Sequence, residues 1–199
     1  MEMTGEQLIP ASQQAVWDAL NDPEVLKACV PGCESIERVG ENEYQVLMVA
    51  RVGPVAARFK GRLALSDIQP PESYAITFEG QGGAAGFAKG GAKVRLAAEN
   101  PSTTRLAYEA KASVGGKLAQ IGSRLVDAAA RKVADDFFRN FNEKLSALHG
   151  HKEPHKEEEH PAQPLPRDPD LPDVTNTTLA FFAGGALVVF TVALVALLG

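Results

Sequence analysis

Polar and apolar side chains take strict turns along residues 55–65. Val55, Ala57, Phe59, Gly61, Leu63 and Leu65 alternate with Ala56, Arg58, Lys60, Arg62 and Ala64. A period of two puts one set on each side of a pleated strand, so this strand has an apolar face and a basic one. The alternation returns at Tyr74, Ile76 and Phe78, at Val94 and Leu96, and at Leu106 and Tyr108. Turn signals separate the runs: a Gly-Glu-Asn turn within residues 39–43, the loop DIQPPES at 67–73, and Asn100-Pro101-Ser102. This succession predicts an antiparallel, meandering sheet with one face wet.

Helical spacing appears on either side of the strands. Ser12 is the expected N-cap of a short helix through Asn21, with Val16, Trp17 and Leu20 on its apolar side. Asn21-Asp22-Pro23 stops that helix, and Pro23 opens a second one to about Ala28. After Gly115 and Gly116 the apolar residues step by three or four: Leu118, Ile121, Leu125, Ala129, Val133, Phe137, Phe141, Leu145 and Leu148. That stripe predicts one amphipathic helix of about eight turns. The expected class is α+β, a curved antiparallel sheet gripping a long C-terminal helix. A curved sheet does not close fully on a straight rod, so a cavity between them is expected.

Beyond residue 148 the chemistry changes twice. Residues 149–176 hold six of the chain's 13 prolines, with three Lys/Arg against seven Asp/Glu. So little apolar surface cannot offset the entropy of ordering, which predicts a disordered, partly polyproline-like tether. As a coil it would reach about 30 Å. All four histidines (His149, His151, His155 and His160) fall here, without the fixed spacing of a zinc site. Residues 179–198 carry no charge, and Thr191 is their one polar side chain. At 1.5 Å per residue this segment is about 30 Å long, one hydrocarbon core, and predicts a transmembrane anchor over 177–199. The start, MEMTGEQLIPAS, lacks the basic and apolar regions of a signal peptide. The expected arrangement is therefore a tail anchor in the cytoplasmic membrane, with residues 1–148 on the cytoplasmic side.

Of the 199 residues 45% are hydrophobic and 23% charged, which excludes a wholly disordered or many-span chain. The net charge of −5 comes mostly from the tether; residues 1–148 hold 17 Lys/Arg and 18 Asp/Glu. A near-neutral domain has no electrostatic footprint for nucleic acid. It also has no histidine, which removes Ser-His-Asp and Cys-His chemistry and argues against an enzyme. Cys29 and Cys33 are read as small semi-buried residues flanking a Pro-Gly turn, with redox chemistry as the alternative. The glycines between Gly80 and Gly91 invite a phosphate-loop reading, but a strand rather than a helix follows them. Phe87, within that run, suits either a gate over the cavity or a plug in the core. Tyr44, Tyr74 and Tyr108 offer hydroxyls to a cavity or simply pack. Arg58, Lys60 and Arg62 form either a docking surface for an acidic partner or an ordinary wet sheet face.

Several long motifs resemble the carbon monoxide dehydrogenase G-subunit family, a branch of the START-like helix-grip (SRPBCC) carriers. They are NDPEVL at 21–26, CVPGCESIERVGENEY at 29–44, VGPVAARFKG at 52–61, GQGGAAGFAKGGA at 80–92 and VGGKLAQIGSRLVDAAARKVADDFF at 114–138. The resemblance covers essentially residues 1–148. It implies a non-enzymatic, membrane-tethered module that recruits a molybdenum-dependent carbon monoxide dehydrogenase or related hydroxylase and links it to the respiratory chain. The expected ligand is apolar, a respiratory quinone, which is too apolar to leave the bilayer unaided, with membrane lipid as a further contact and no covalently bound cofactor. The residues expected to line the ligand are Trp17, Phe59, Leu63, Phe78, Phe87, Tyr108, Ile121 and Leu125. A structural anchor with a dry core, or a lipid carrier serving another enzyme, are the alternatives.

Overall fold

The structure, a computed structural model, describes residues 1–149. The tether beyond His149, with His151, His155 and His160, and the predicted anchor at 177–199 lie outside the described residues. Among the described residues no helix is long and apolar enough to cross a membrane.

Two capped helices follow the first strand, β1 (Glu2–Ile9). In α1 (Gln13–Leu20) the Ser12 hydroxyl accepts from the Ala15 N–H at 3.3 Å. In α2 (Pro23–Cys29) the Asp22 carboxylate accepts from the N–H groups of Glu24 and Val25, and Pro23 fills the first helical position. Then come β2 (Cys33–Arg38), β3 (Glu43–Val52), β4 (Val55–Gln69), β5 (Ser73–Gln81), β6 (Phe87–Asn100), β7 (Thr103–Gly115), α3 (Lys117–Gln120) and α4 (Ser123–His149). The seven strands form one antiparallel sheet in the order β1-β7-β6-β5-β4-β3-β2.

α4, about 40 Å long at 1.5 Å per residue, is held to the sheet by aromatic rings. Phe137 stacks on Phe141 at 5.5 Å and meets Phe138 edge-on at 5.2 Å. Phe138 stacks in turn on Tyr108 of β7 at 5.7 Å. Tyr108 can lie there because its neighbour on β1 is Gly5, where a Cβ would stand 2.5 Å from the Tyr108 hydroxyl oxygen. α2 packs on the far part of α4, where the Asn140 side chain donates to the Cys29 carbonyl at 3.0 Å. Gln13 ties α1 to the sheet by donating to the Leu96 carbonyl.

Three sequence expectations are corrected. The helix is not continuous from residue 117: α3 ends at Gln120, and Gly122 (φ +92°) breaks the chain before α4 starts. A left-handed residue ends one helix and rotates the phase of the next. The inward stripe of α4 is therefore Val126, Ala130, Val133, Phe137, Phe141 and Leu145, while Leu125 and Leu148 point outward. Residues 67–73 are only partly a loop, because β4 runs on to Gln69 past an irregularity after Ser66. β6 starts at Phe87, inside the glycine run rather than after it, so Gly90 and Gly91 are strand residues. Gly90 must be small there, since its Cβ would fall 2.2 Å from the Lys111 carbonyl oxygen and 2.7 Å from the Phe78 ring.

Candidate functional site

The register gathers three connections at one end of the sheet. Val52 pairs with Val55 at the β3–β4 tip, Lys60 with Gln81, Gln81 with Phe87, and Phe87 with Gly115. α3 touches both the end of β7 and the one-turn 3₁₀ helix at Gly83–Ala85 between β5 and β6. Two glycines let these segments meet. At Gly86 (φ +119°) a Cβ would fall 2.0 Å from the Gly115 carbonyl oxygen, and at Gly116 (φ +74°) 2.5 Å from the Gly86 Cα. The Phe59 ring lies under Gly82, the Phe87 ring against Gly115, and the Leu125 side chain beside Gly53. Together these segments form one rim of the domain, termed the mouth. Phe87 and Leu125 stand at it 46% and 49% exposed.

The other residues expected to line a cavity are distributed unevenly. Phe59, Leu63, Phe78, Trp17 and Tyr108 are buried, and Ile121 is half-buried at the α3–α4 joint. Trp17 is remote from the mouth: it meets Tyr74, near the start of β5, edge-on at 5.6 Å. Phe59, Phe87, Ile121 and Leu125 belong to the mouth end, so the set spans the interior rather than forming one cluster. Grooves of about 760 and 360 Å³ open on the outer face of the sheet, around Arg62, Glu79 and Lys89 and around Gln45, Lys60 and Gln81.

Tyr74 is the most unusual polar residue of the core. It is fully buried, and its hydroxyl has no hydrogen-bond partner among the described residues. Burial drives its ionisation far above the ordinary tyrosine range, so it is a neutral donor at any physiological pH. A buried hydroxyl without a partner forfeits its hydrogen bonds to water. Sequence alternation places Tyr74 inside but cannot show that its hydroxyl goes unpaired.

Arg58, Lys60 and Arg62 stand on the outer face of β4, as the alternation requires, and all are exposed. Arg58 is paired with Glu34 of β2 at 2.8 Å, a cross-strand contact invisible to local periodicity. Cys29 and Cys33 are free, with Cys29 buried. Burial pushes both thiols up to about 11. At pH 8 only about one thiol in a thousand is then thiolate, the reactive form. Iodoacetamide is therefore expected to leave both cysteines unmodified in the folded protein at pH 8 and to label both in denaturant. Labelling of the folded protein at the rate of a free thiol would refute this. No group of three or more His, Cys, Asp or Glu among the described residues can hold a metal ion.

Residues 5–146 match the sequence family of the carbon monoxide dehydrogenase G subunit, CoxG. The chain belongs to the CoxG family. A conserved protein from Geobacillus kaustophilus is similar in structure, with a TM-score of 0.70 and 30% identity over 74% of this chain and 96% of that one. A START superfamily protein from Mycobacterium smegmatis matches with a TM-score of 0.58 and 12% identity, over 74% of this chain and 98% of that one. A protein from Thermus thermophilus matches with a TM-score of 0.57 and 19% identity, over 75% and 99%. The last two likenesses speak for the fold, which is START-like. No curated protein matches the chain. The CoxG motifs of the sequence fall mainly on the mouth and its support: 52–61 is the β3–β4 tip with Phe59, 80–92 the glycine-rich connection with Phe87, and 114–138 the joint and first half of α4.

Proposed function

We propose that this CoxG-family chain is a non-enzymatic accessory protein. It carries a respiratory quinone in its grip and docks a molybdenum-dependent carbon monoxide dehydrogenase or related hydroxylase at the cytoplasmic membrane. The observation that carries the reading is the CoxG match over residues 5–146 on a START-like helix grip. The family's name supplies the dehydrogenase. Tyr74 supports a ligand with a carbonyl: its unpartnered hydroxyl is a donor in an apolar interior, and a quinone head group offers two acceptors. The physical need is plain. A quinone is too apolar to leave the bilayer unaided, and a water-soluble enzyme cannot enter it. The tail at 177–199 would keep the module near the lipid and raise its local concentration there.

A second reading, a structural anchor with a dry interior, is favoured by the complete burial of Phe59, Leu63, Tyr74 and Ile76. One titration separates the two. Ubiquinone-1 added to the full chain is expected to quench the single tryptophan, Trp17, saturably, because Trp17 touches Tyr74. Tyr74→Phe is expected to weaken that binding about tenfold, the worth of one hydrogen bond in a dry site, without lowering the melting temperature. Absence of saturable quenching in the parent would select the dry anchor.

Docking gives a further expectation. Neutralising Arg58, Lys60 and Arg62 together to Gln is expected to weaken capture of the dehydrogenase at low salt. Exposed positions like these usually change stability by no more than about 0.5 kcal/mol. Pull-down at low and moderate salt, beside a melting curve, checks both halves. Equal capture by parent and variant at both salts would return these residues to an ordinary wet sheet face.

A further inference from the structure

The mouth of the grip has an unusual surface. Its exposed residues include Pro54, Ala56, Ala84, Phe87, Ala119 and Leu125, all apolar, drawn from four separate connections or element ends. A water-facing rim needs none of these. Leu8, Val39, Val49 and Leu148 are exposed to a similar degree elsewhere, and a single such side chain is ordinary; it is the grouping of apolar residues at one tip that marks a contact surface. The charges around them are one-sided. Residues 51–57, 81–88 and 113–127 contribute Arg51, Lys117 and Arg124 against a single acid, Asp127, while Lys89 faces Glu79 across the β5–β6 pair. Arg51, Lys117 and Arg124 are exposed. Elsewhere the sheet mixes its signs, and the pairs Lys111–Glu2, Arg105–Glu6 and Arg105–Glu99 lie on β1, β6 and β7.

We infer that the mouth rests on an anionic lipid surface, with Phe87 and Leu125 sunk among the acyl chains and Arg51, Lys117 and Arg124 on the phosphates. An apolar tip ringed by long basic side chains is the chemistry of an interfacial membrane contact, where arginine and lysine stems cover apolar surface and their heads meet anions. The inference rests on the cargo reading above and adds a direction to it. A ligand crosses between bilayer and grip through the mouth without passing water, and its polar end travels first, toward Tyr74 at the far end of β5.

The full chain in vesicles tests this. Trp17→Phe removes the native tryptophan, and a tryptophan is then placed singly by Phe87→Trp, Leu125→Trp or, as a control, Leu8→Trp. Leu8 is exposed on β1 beside Arg105, at the opposite end of the sheet. Vesicles of phosphatidylcholine and phosphatidylglycerol containing dibrominated acyl chains serve as quencher. Quenching at residues 87 and 125 is expected to exceed that at residue 8 severalfold, and to fall when Arg51, Lys117 and Arg124 are changed to Gln. Quenching at either mouth position no greater than at residue 8 overturns the inference and gives the mouth to a protein. A chain that does not float with vesicles overturns both this inference and the membrane part of the proposed function. Strong mouth quenching with no saturable ubiquinone-1 binding in the parent would leave the lipid contact standing and remove the quinone.

Discussion

Replacing Phe59 by alanine is expected to destabilise the domain by about 3–5 kcal/mol, the usual cost of emptying a phenylalanine site in a packed core. Phe59 is one of the largest fully buried side chains, and its ring supports Gly82 at the start of the β5–β6 connection. Truncation therefore removes apolar contact area and the floor beneath the glycine-rich mouth together. For a domain of this size the melting temperature should fall by roughly 10 °C. The same variant also reports on the interior. In a close-packed core the loss is suffered in full. In an interior that holds ligand, an added quinone fills the vacated volume and restores part of the melting temperature. Thermal unfolding with and without ubiquinone-1 measures both. A change below about 1 kcal/mol would show that Phe59 is not part of a tight core.

Gly86→Ala should be nearly as damaging, for a different reason. The backbone at Gly86 has φ +119°, a region closed to side chains, which costs about 1–3 kcal/mol when forced. In addition, its Cβ would fall 2.0 Å from the Gly115 carbonyl oxygen, a backbone atom that cannot swing aside. The Gly82 N–H donates to the Gly86 carbonyl at 2.8 Å and closes the connection, so the whole turn must move. Gly83→Ala makes the matching control. It has left-handed backbone too, but open space around its Cβ position. At φ +59° Gly83 lies in the left-handed region that other residues visit at modest cost, so the harsher backbone and the close approach at Gly86 both predict that Gly86→Ala is clearly worse. Equal melting temperatures for the two variants would sink the argument from contact.

Periodicity made the sheet legible, because a period of two survives whatever the sheet packs against. The cap at Ser12 and the helix start at Pro23 were readable for a related reason: they act within four residues. What stayed hidden was phase and distance. The stripe through Leu118, Ile121 and Leu125 is continuous in sequence, yet a single left-handed glycine at 122 turns Leu125 out of the core. Gly90 and Gly91 look like loop residues until the Phe78 ring is seen to need the space beside Gly90. Among the residues expected to line ligand, Phe59 and Phe78 could be placed inside from alternation. Phe87 could not, since its strand begins inside a run of glycines that hides the alternation. The pairing of Arg58 with Glu34 and the lone hydroxyl of Tyr74 both depend on which strands are neighbours, and no local pattern encodes that.

The first strand pairs with the last. Glu2 faces Lys111 and Ile9 faces Thr104, and the terminal amine donates to the Ala112 carbonyl at 3.1 Å. During synthesis β1 is therefore made first and has no partner until residues 103–115 have left the ribosome. Closing so long a loop is slow, and sheets dominated by such distant pairings fold in milliseconds to seconds. For that interval β1 and the uncovered edge of β7 present unpaired backbone, and the growing chain is then at its most exposed to wrong strand pairing.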